Sequence, residues 1–282
     1  MTPGIGFAIG AMLCFGIGDL IYKRAAMSGI QSRHFIMTQS WIYCSSVTLY
    51  AWLTGSLQPS VAGLWGSLAG LFALTAFYNF ARSLQDGAVS TNAPIFRLNF
   101  TVTVALAVIV LGETLTPAKG AALALALVAV WLLLGESVGG TARSTARSLL
   151  RVVIATMSLG LANLLLKIGL QHGALPETLV SMQAWVFSST ATALTVLADR
   201  RVVIPGTIWR YSLPAALVLV TAFVSLAHGL ARGPASVLVP VAQMSFVFTA
   251  LLGATLFREP LNARKVAGLL IATVSLVLFA VS

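Results

Sequence analysis

The chain has 282 residues, 58% of them hydrophobic and 9% charged, with a formal net charge of +10. Soluble domains carry about 25% charged residues, so this composition excludes a soluble globular fold and predicts an all-α integral membrane protein. The basic excess does not signal nucleic acid, because the Lys and Arg residues sit mostly in short gaps between apolar runs, where they set orientation in the bilayer.

Apolar windows of about 20 residues mark membrane spans. Ten are predicted, over 4–24, 33–54, 62–84, 88–111, 116–135, 150–171, 177–198, 209–231, 234–257 and 261–281. The opening "MTPGIGFAIG" has no basic residue before its apolar run and does not read as a cleaved signal peptide. The first span carries Gly6, Gly10, Cys14 and Gly18 at spacing four, a stripe suited to close helix packing. It also carries Asp19, a carboxylate well inside an apolar run, with Lys23 four residues on. The second span holds Gln39, Trp41 and Tyr43, and the third holds Tyr78, Asn79 and Arg82. The fourth contains Pro94, Arg97 and Asn99. The polar connection "GESVGGTARSTARS", 136–149, then divides the chain into 1–135 and 150–282. Beyond it, Asn163, Gln183, Trp185, His228, Pro240 and Gln243 are the polar, aromatic or proline positions that stand out within apolar runs. Cys14 and Cys44 both fall in apolar segments and read as free buried thiols.

The chain repeats itself. Glu113, Leu115, Lys119 and Ala121 recur as Glu259, Leu261, Lys265 and Ala267, and Phe77, Gly87 and Pro94 recur as Phe223, Gly233 and Pro240, all at an offset of 146. Nearer the start of each half the offset is 144: Gly16, Leu20, Lys23, Gln39, Trp41 and Ser45 meet Gly160, Leu164, Lys167, Gln183, Trp185 and Ser189, and Tyr43 meets Phe187. A two-residue length change between the second and third helices of a half accounts for the shift. Each half holds five spans, an odd number, so the second enters the membrane from the opposite side. Inverted repeats of this kind are a frequent architecture of secondary transporters, with solute bound near the midplane where the repeats meet.

Orientation follows from charge. The gaps on the side of both termini hold Lys119, Lys167 and Arg232, whereas the other side holds Lys23, Arg24, Arg33, Arg82, Arg143, Arg147, Arg151, Arg200, Arg201, Arg210, Arg258, Arg264 and Lys265. Lys and Arg favour the cytoplasmic face, which places both termini outside the cytoplasm.

The stretches "FYNFARSLQDGAVSTNAPIF" and "LGETLTPAKGAALALALVAVWLLL", with their second copy "LARGPASVLVPVAQMSFVFTALLGATLFREPLNARKVAGLLIA", resemble the drug/metabolite transporter superfamily, in its ten-helix EamA-type branch. "CFGIGDLIYKRA" and "LGLANLLLKIGL" resemble the first-helix motif of each half. The resemblance covers nearly the whole chain. It implies two inverted five-helix repeats around a central cavity, and usually export of small solutes across an inner or plasma membrane. Two features depart from it: "TGSLQPSVAGLW" lacks the basic residues that many relatives have between helices two and three, and Arg97 sits where relatives are mostly apolar.

Arg97 is the sharpest signal, because an arginine at a bilayer centre costs about 2.5–3.5 kcal/mol on insertion scales. Its repeat mate is Gln243, and each follows a proline, Pro94 or Pro240, by three residues. Such prolines free a carbonyl and mark a hinge. Two readings stand for Arg97: its planar fork holds a solute carboxylate or phosphate, or it pairs with Asp19 or backbone carbonyls. Asp19, whose mate is Asn163, either pairs with Lys23 or serves as a proton-coupling carboxylate. Trp41 and Trp185 either anchor at the interface or wall a cavity. Asn79, Tyr78, Asn99 and His228 complete the expected solute-binding set. Glu113 and Glu259 read as residues favoured by the positive ends of the helices they open.

The expected function is secondary transport of small polar organic solutes, with export of amino acids or related carboxylates favoured. A carrier of cationic drugs or lipid-linked sugars is the alternative within transport. Outside it stand a membrane enzyme, disfavoured by the three His and two Cys, and a non-transporting scaffold. No cofactor and no metal are expected. The expected partners are the solute, membrane lipid and, as coupling ion, a proton.

Overall fold

The structure is a computed structural model that describes residues 4–112, 114, 116–134, 142–200, 204, 206–256 and 262–281. It is all-helical among these residues. The first half comprises α1 (Ile5–Met27), α2 (Ser32–Leu53), α3 (Leu64–Asp86), α4 (Val89–Arg97), α5 (Asn99–Leu111) and α6 (Pro117–Leu134). The second comprises α7 (Ala142–Gln171), α8 (Pro176–Asp199), α9 (Trp209–Arg232), α10 (Ala235–Gln243), α11 (Ser245–Leu256) and α12 (Ala263–Val281). Each half is thus a five-pass repeat whose fourth pass is broken in two.

Local chemistry sets these boundaries. α8 begins at Pro176 with Glu177 in its first turn, a proline that needs no amide partner and a carboxylate at the positive helix end. Gly112 ends α5 in the left-handed conformation at φ 65°, which a side chain rarely tolerates. Two lysines finish the third pass of each half. Lys23 Nζ donates to the carbonyls of Leu84 and Gly87 at 3.4 and 2.9 Å, at the end of α3. Its repeat mate Lys167 donates to Leu230 and Gly233, both at 3.2 Å, at the end of α9. Open carbonyls at a helix C-terminus attract a cation, so these lysines cap a neighbouring helix. The sequence pairs Lys23 with Asp19; the described contacts of Lys23 are with these α3 carbonyls, and those of Asp19 are with Arg97 and Thr249.

Two sequence expectations need correction. The fourth and ninth spans are not single helices: Arg97 and Gln243 are the last residues of α4 and α10, and the breaks fall at Leu98 and Met244. Pro94 has no amide proton to continue the ladder, and the Leu98 amide is shared between the carbonyls of Pro94 and Ile95 at 3.1 Å each. Part of the stretch 136–149, expected as a connection, is already helix from Ala142 onward. Five helices are long and apolar enough to cross a bilayer on composition alone: Ile5–Met27, Leu64–Asp86, Thr91–Leu111, Ala146–Gln171 and Gly206–Arg232. Glu113 and Glu259 lie outside the described residues.

The halves interlock rather than sit side by side. α1 packs on α9 and α3 on α7, and the same exchange joins α4 with α11 and α5 with α10. Across the pseudo-twofold axis, α2 meets α8 through a reciprocal clasp. Trp41 Nε1 donates to Thr192 Oγ1 at 2.8 Å, and Trp185 Nε1 to Thr48 Oγ1 at 2.9 Å; 41 + 144 = 185 and 48 + 144 = 192. Glycines let α3 approach α8 closely. A Cβ at Gly70 would lie 2.5 Å from the Gln183 carbonyl oxygen, and one at Gly66 would meet the Leu179 backbone. Gly70→Ala is expected to cost about 1–3 kcal/mol, the scale of overpacking, seen as a lower unfolding temperature in detergent.

Candidate functional site

Between the halves lies a narrow cavity. Its lining comprises Gln39, Ser40 and Tyr43 of α2, Ala73 and Phe77 of α3, Gln183, Ala184 and Phe187 of α8, and Leu219 and Phe223 of α9. These are five repeat pairs: the α2 and α8 residues match at offset 144, and the α3 and α9 residues match at 146. The cavity is therefore centred on the pseudo-twofold relation between the repeats. Its volume is about 20 Å³, against the 10–15 Å³ or so that one water needs, so in this conformation the side chains leave little free space between them.

The walls are aromatic. Tyr43 meets Phe223 edge-on at 6.2 Å, and Phe77 meets Phe187 and Phe223 at 6.4 and 5.9 Å. The two glutamines differ. Gln39 Oε1 accepts a 2.5 Å hydrogen bond from the Tyr22 hydroxyl. Gln183 is 3% exposed, yet neither its Nε2 nor its Oε1 has a partner among the described residues. Leaving a buried polar group unpaired costs about 1–3 kcal/mol, so an open amide at this position in the lining calls for an explanation.

One layer away sits a buried ion pair. Arg97, 1% exposed, donates from Nε to Asp19 Oδ2 at 3.0 Å and from Nη2 to Asp19 Oδ1. It donates further to the Phe15 carbonyl at 3.2 Å and to Gln243 Oε1 at 3.4 Å, and lies 4.6 Å over the Phe15 ring. Thr249 Oγ1 reaches Asp19 Oδ2 at 3.4 Å. The break after Arg97 brings it to α1 and α10 together. At the position matching Asp19 the second half has the neutral Asn163, whose Nδ2 donates to Asn99 Oδ1 of α5 at 3.0 Å, while Asn99 Nδ2 donates to the Phe96 carbonyl at 2.8 Å. The flanking threonines keep the symmetry, Thr249 to the Gly16 carbonyl and Thr103 to the Gly160 carbonyl.

Two further carboxylate contacts lie at the ends of α8. At its start, Glu177 Oε1 lies 2.9 Å from His228 Nε2 on α9. At its end, Asp199 holds Arg33, at 3.1 Å from Nε and 2.7 Å from Nη2, and His34 at 2.6 Å, both on α2.

Several expected site residues fall elsewhere. Arg97 and Gln243 do meet, but in the knot rather than in the cavity lining, and Asp19 fills the arginine fork expected for solute. Asn99 is spent on Asn163. Trp41 and Trp185 clasp α2 to α8 and do not wall this cavity. Asn79 donates to the Thr75 carbonyl of its own helix at 2.8 Å, and Tyr78 lies beneath Arg82. His228 stacks on Phe7 at 5.6 Å at one end of the bundle. Pro94 and Pro240 lie within α4 and α10, ahead of the breaks. The reading missed Gln39, Gln183, Tyr43, Phe77, Phe187 and Phe223 as lining residues.

Comparison with known proteins agrees with this architecture. The model of the EamA-like transporter family matches residues 2–135 and again 146–281, once for each half. A solved structure described only as the crystal structure of a protein superposes with a TM-score of 0.68 at 16% identity, over 96% of this chain and 94% of that one. A search of curated proteins finds no match.

Proposed function

The chain belongs to the EamA-like transporter family and is a membrane transporter of small solutes, and we propose that it is a secondary transporter working by alternating access around the paired cavity. The observation that carries this reading is the cavity's composition: each lining residue has its repeat mate in the lining. A site shared equally by two inverted halves can be exposed to either side by the same motion run in opposite senses. The carboxylate contacts at the two ends of α8 supply a closure on each side. We place the protein in the inner membrane with both termini outside the cytoplasm, on the charge asymmetry of its gaps, and we take export as its direction by family analogy.

Solute contact falls to Gln39, Gln183, Tyr43 and the phenylalanines rather than to Arg97. The carboxylate-holding role gives way because Asp19 already supplies the bidentate partner.

Counterflow in proteoliposomes, screened over amino acids, amides and amines, tests the reading. Ala73→Leu reproduces the Leu219 of the opposite wall and adds three carbons to a cavity of about 20 Å³. Flux of whichever solute the wild type accumulates is expected to fall at least tenfold or so in folded Ala73→Leu, since overpacking by a few methylenes costs about 1–3 kcal/mol and each 1.4 is a factor of ten. Undiminished flux would remove this cavity from the transport path.

A further inference from the structure

Resting on the cavity reading above, we propose that the solute is uncharged where it binds. It presents a hydrogen-bond donor and acceptor side by side, as a carboxamide, lactam or similar heterocyclic edge does, on an apolar or aromatic body, and Gln183 reads that edge.

The buried Gln183 amide has a donor and an acceptor with no partner among the described residues, and it lines the cavity. Its mate Gln39 is held by Tyr22, so the repeat places one committed and one open amide across the same space. An amide is self-complementary: its N–H meets a ligand carbonyl while its carbonyl meets a ligand N–H. A solute carrying only one of these functions leaves the other half of Gln183 unpaired. The lining contains no charged side chain. The buried charges of the adjacent layer, Asp19 and Arg97, are committed to each other. An anion or a cation would therefore enter without a counter-charge, the costly case for burial.

The rings supply the remainder. Tyr43, Phe77, Phe187 and Phe223 offer an apolar box, and their edge-to-face contacts direct ring edges at neighbouring faces. Polarity differs across the axis, since Ser40 and Tyr43 stand where the second half has Ala184 and Phe187. The first-half wall thus adds hydroxyls for a polar substituent.

Benzamide, benzoate and benzylammonium share one ring and differ in charge, and saturation-transfer NMR on the purified full chain ranks them. Benzamide is expected to bind at least tenfold more tightly than either ion. Gln183→Leu, which removes an unsatisfied buried amide and so should fold at least as stably, is expected to lose at least tenfold in benzamide affinity. Gln183→Glu is expected to move the preference toward benzylammonium. Benzoate or benzylammonium binding as tightly as benzamide, and blocked by Ala73→Leu, would overturn the solute class while leaving the cavity reading in place. Benzamide binding indifferent to both Gln183→Leu and Ala73→Leu would overturn the cavity reading as well. Failure of all three probes to bind the folded protein would overturn the proposed class.

Discussion

Asp19→Asn is expected to destabilise the folded bundle by about 3–5 kcal/mol, the cost of stripping a buried charge of its partner. Arg97→Gln is expected to cost a similar amount, because Asp19 then stays buried with only Thr249 and backbone near it. The double variant should recover most of the loss. Removing both charges removes both desolvation penalties, and neutral replacement of a buried pair is often cost-free. At the matched positions the second half carries Asn163 and Gln243, the same two residue types that the double variant installs in the first half. Thermal unfolding of all four proteins in one detergent closes the cycle. Additive single effects, with no recovery in the double, would mean that the pair contributes nothing as a pair.

The same cycle separates stability from coupling. A proton-coupling role for Asp19, the carboxylate of the knot, is a proposal that the double variant tests. The double variant, folded and neutral, is then expected to exchange solute while losing its response to an imposed pH gradient. Full proton-driven transport by the double variant would leave Asp19 with a structural role alone.

The architecture was legible in the sequence because it rests on residues with few tolerable substitutes. Matching glycines, prolines, lysines and glutamines in a single register reveal the duplication, and an odd number of passes fixes the inversion. The breaks at Leu98 and Met244 were half-visible: Pro94 and Pro240 announced a bend, but not that the chain would end a helix three residues later, beside α1 and α10. The site was harder to read. Arg97 drew attention because a charge in a membrane is costly, yet cost is equally explained by a charged partner on another helix, and a sequence does not display partners separated by 78 positions. Gln39, Gln183, Tyr43 and Phe187 were recognised as repeat mates without being assigned to the cavity. In an inverted-repeat fold, matched pairs on the second and third passes flank the pseudo-twofold axis, and that symmetry was a better guide to the cavity than side-chain charge. Trp41 and Trp185 satisfy the same criterion but turn toward Thr192 and Thr48, a distinction that depends on helix rotation.

Breaking the contacts at the two ends of α8 is expected to open the cavity in opposite directions. Glu177 and Asp199 are 22 positions apart (199 − 177), about 33 Å along a helix, and the cavity residues Gln183, Ala184 and Phe187 lie between them. Glu177 ties α8 to α9 through His228, and Asp199 ties it to α2 through Arg33 and His34. With both termini outside, the first contact closes the outer end and the second the cytoplasmic end. Losing either contact should shift the population toward the open state by about an order of magnitude, the scale of a lost hydrogen bond to a carboxylate. A cysteine at Ser40, in a background where Cys14 and Cys44 are alanine, reports this by its rate of labelling with a membrane-impermeant maleimide. Glu177→Gln should accelerate labelling about tenfold from the outer face and leave the cytoplasmic rate unchanged, whereas Asp199→Asn should do the reverse in inverted vesicles. Were both variants to open the same face, or neither to change the rate from any face, these contacts would be packing features of a cavity that gates elsewhere.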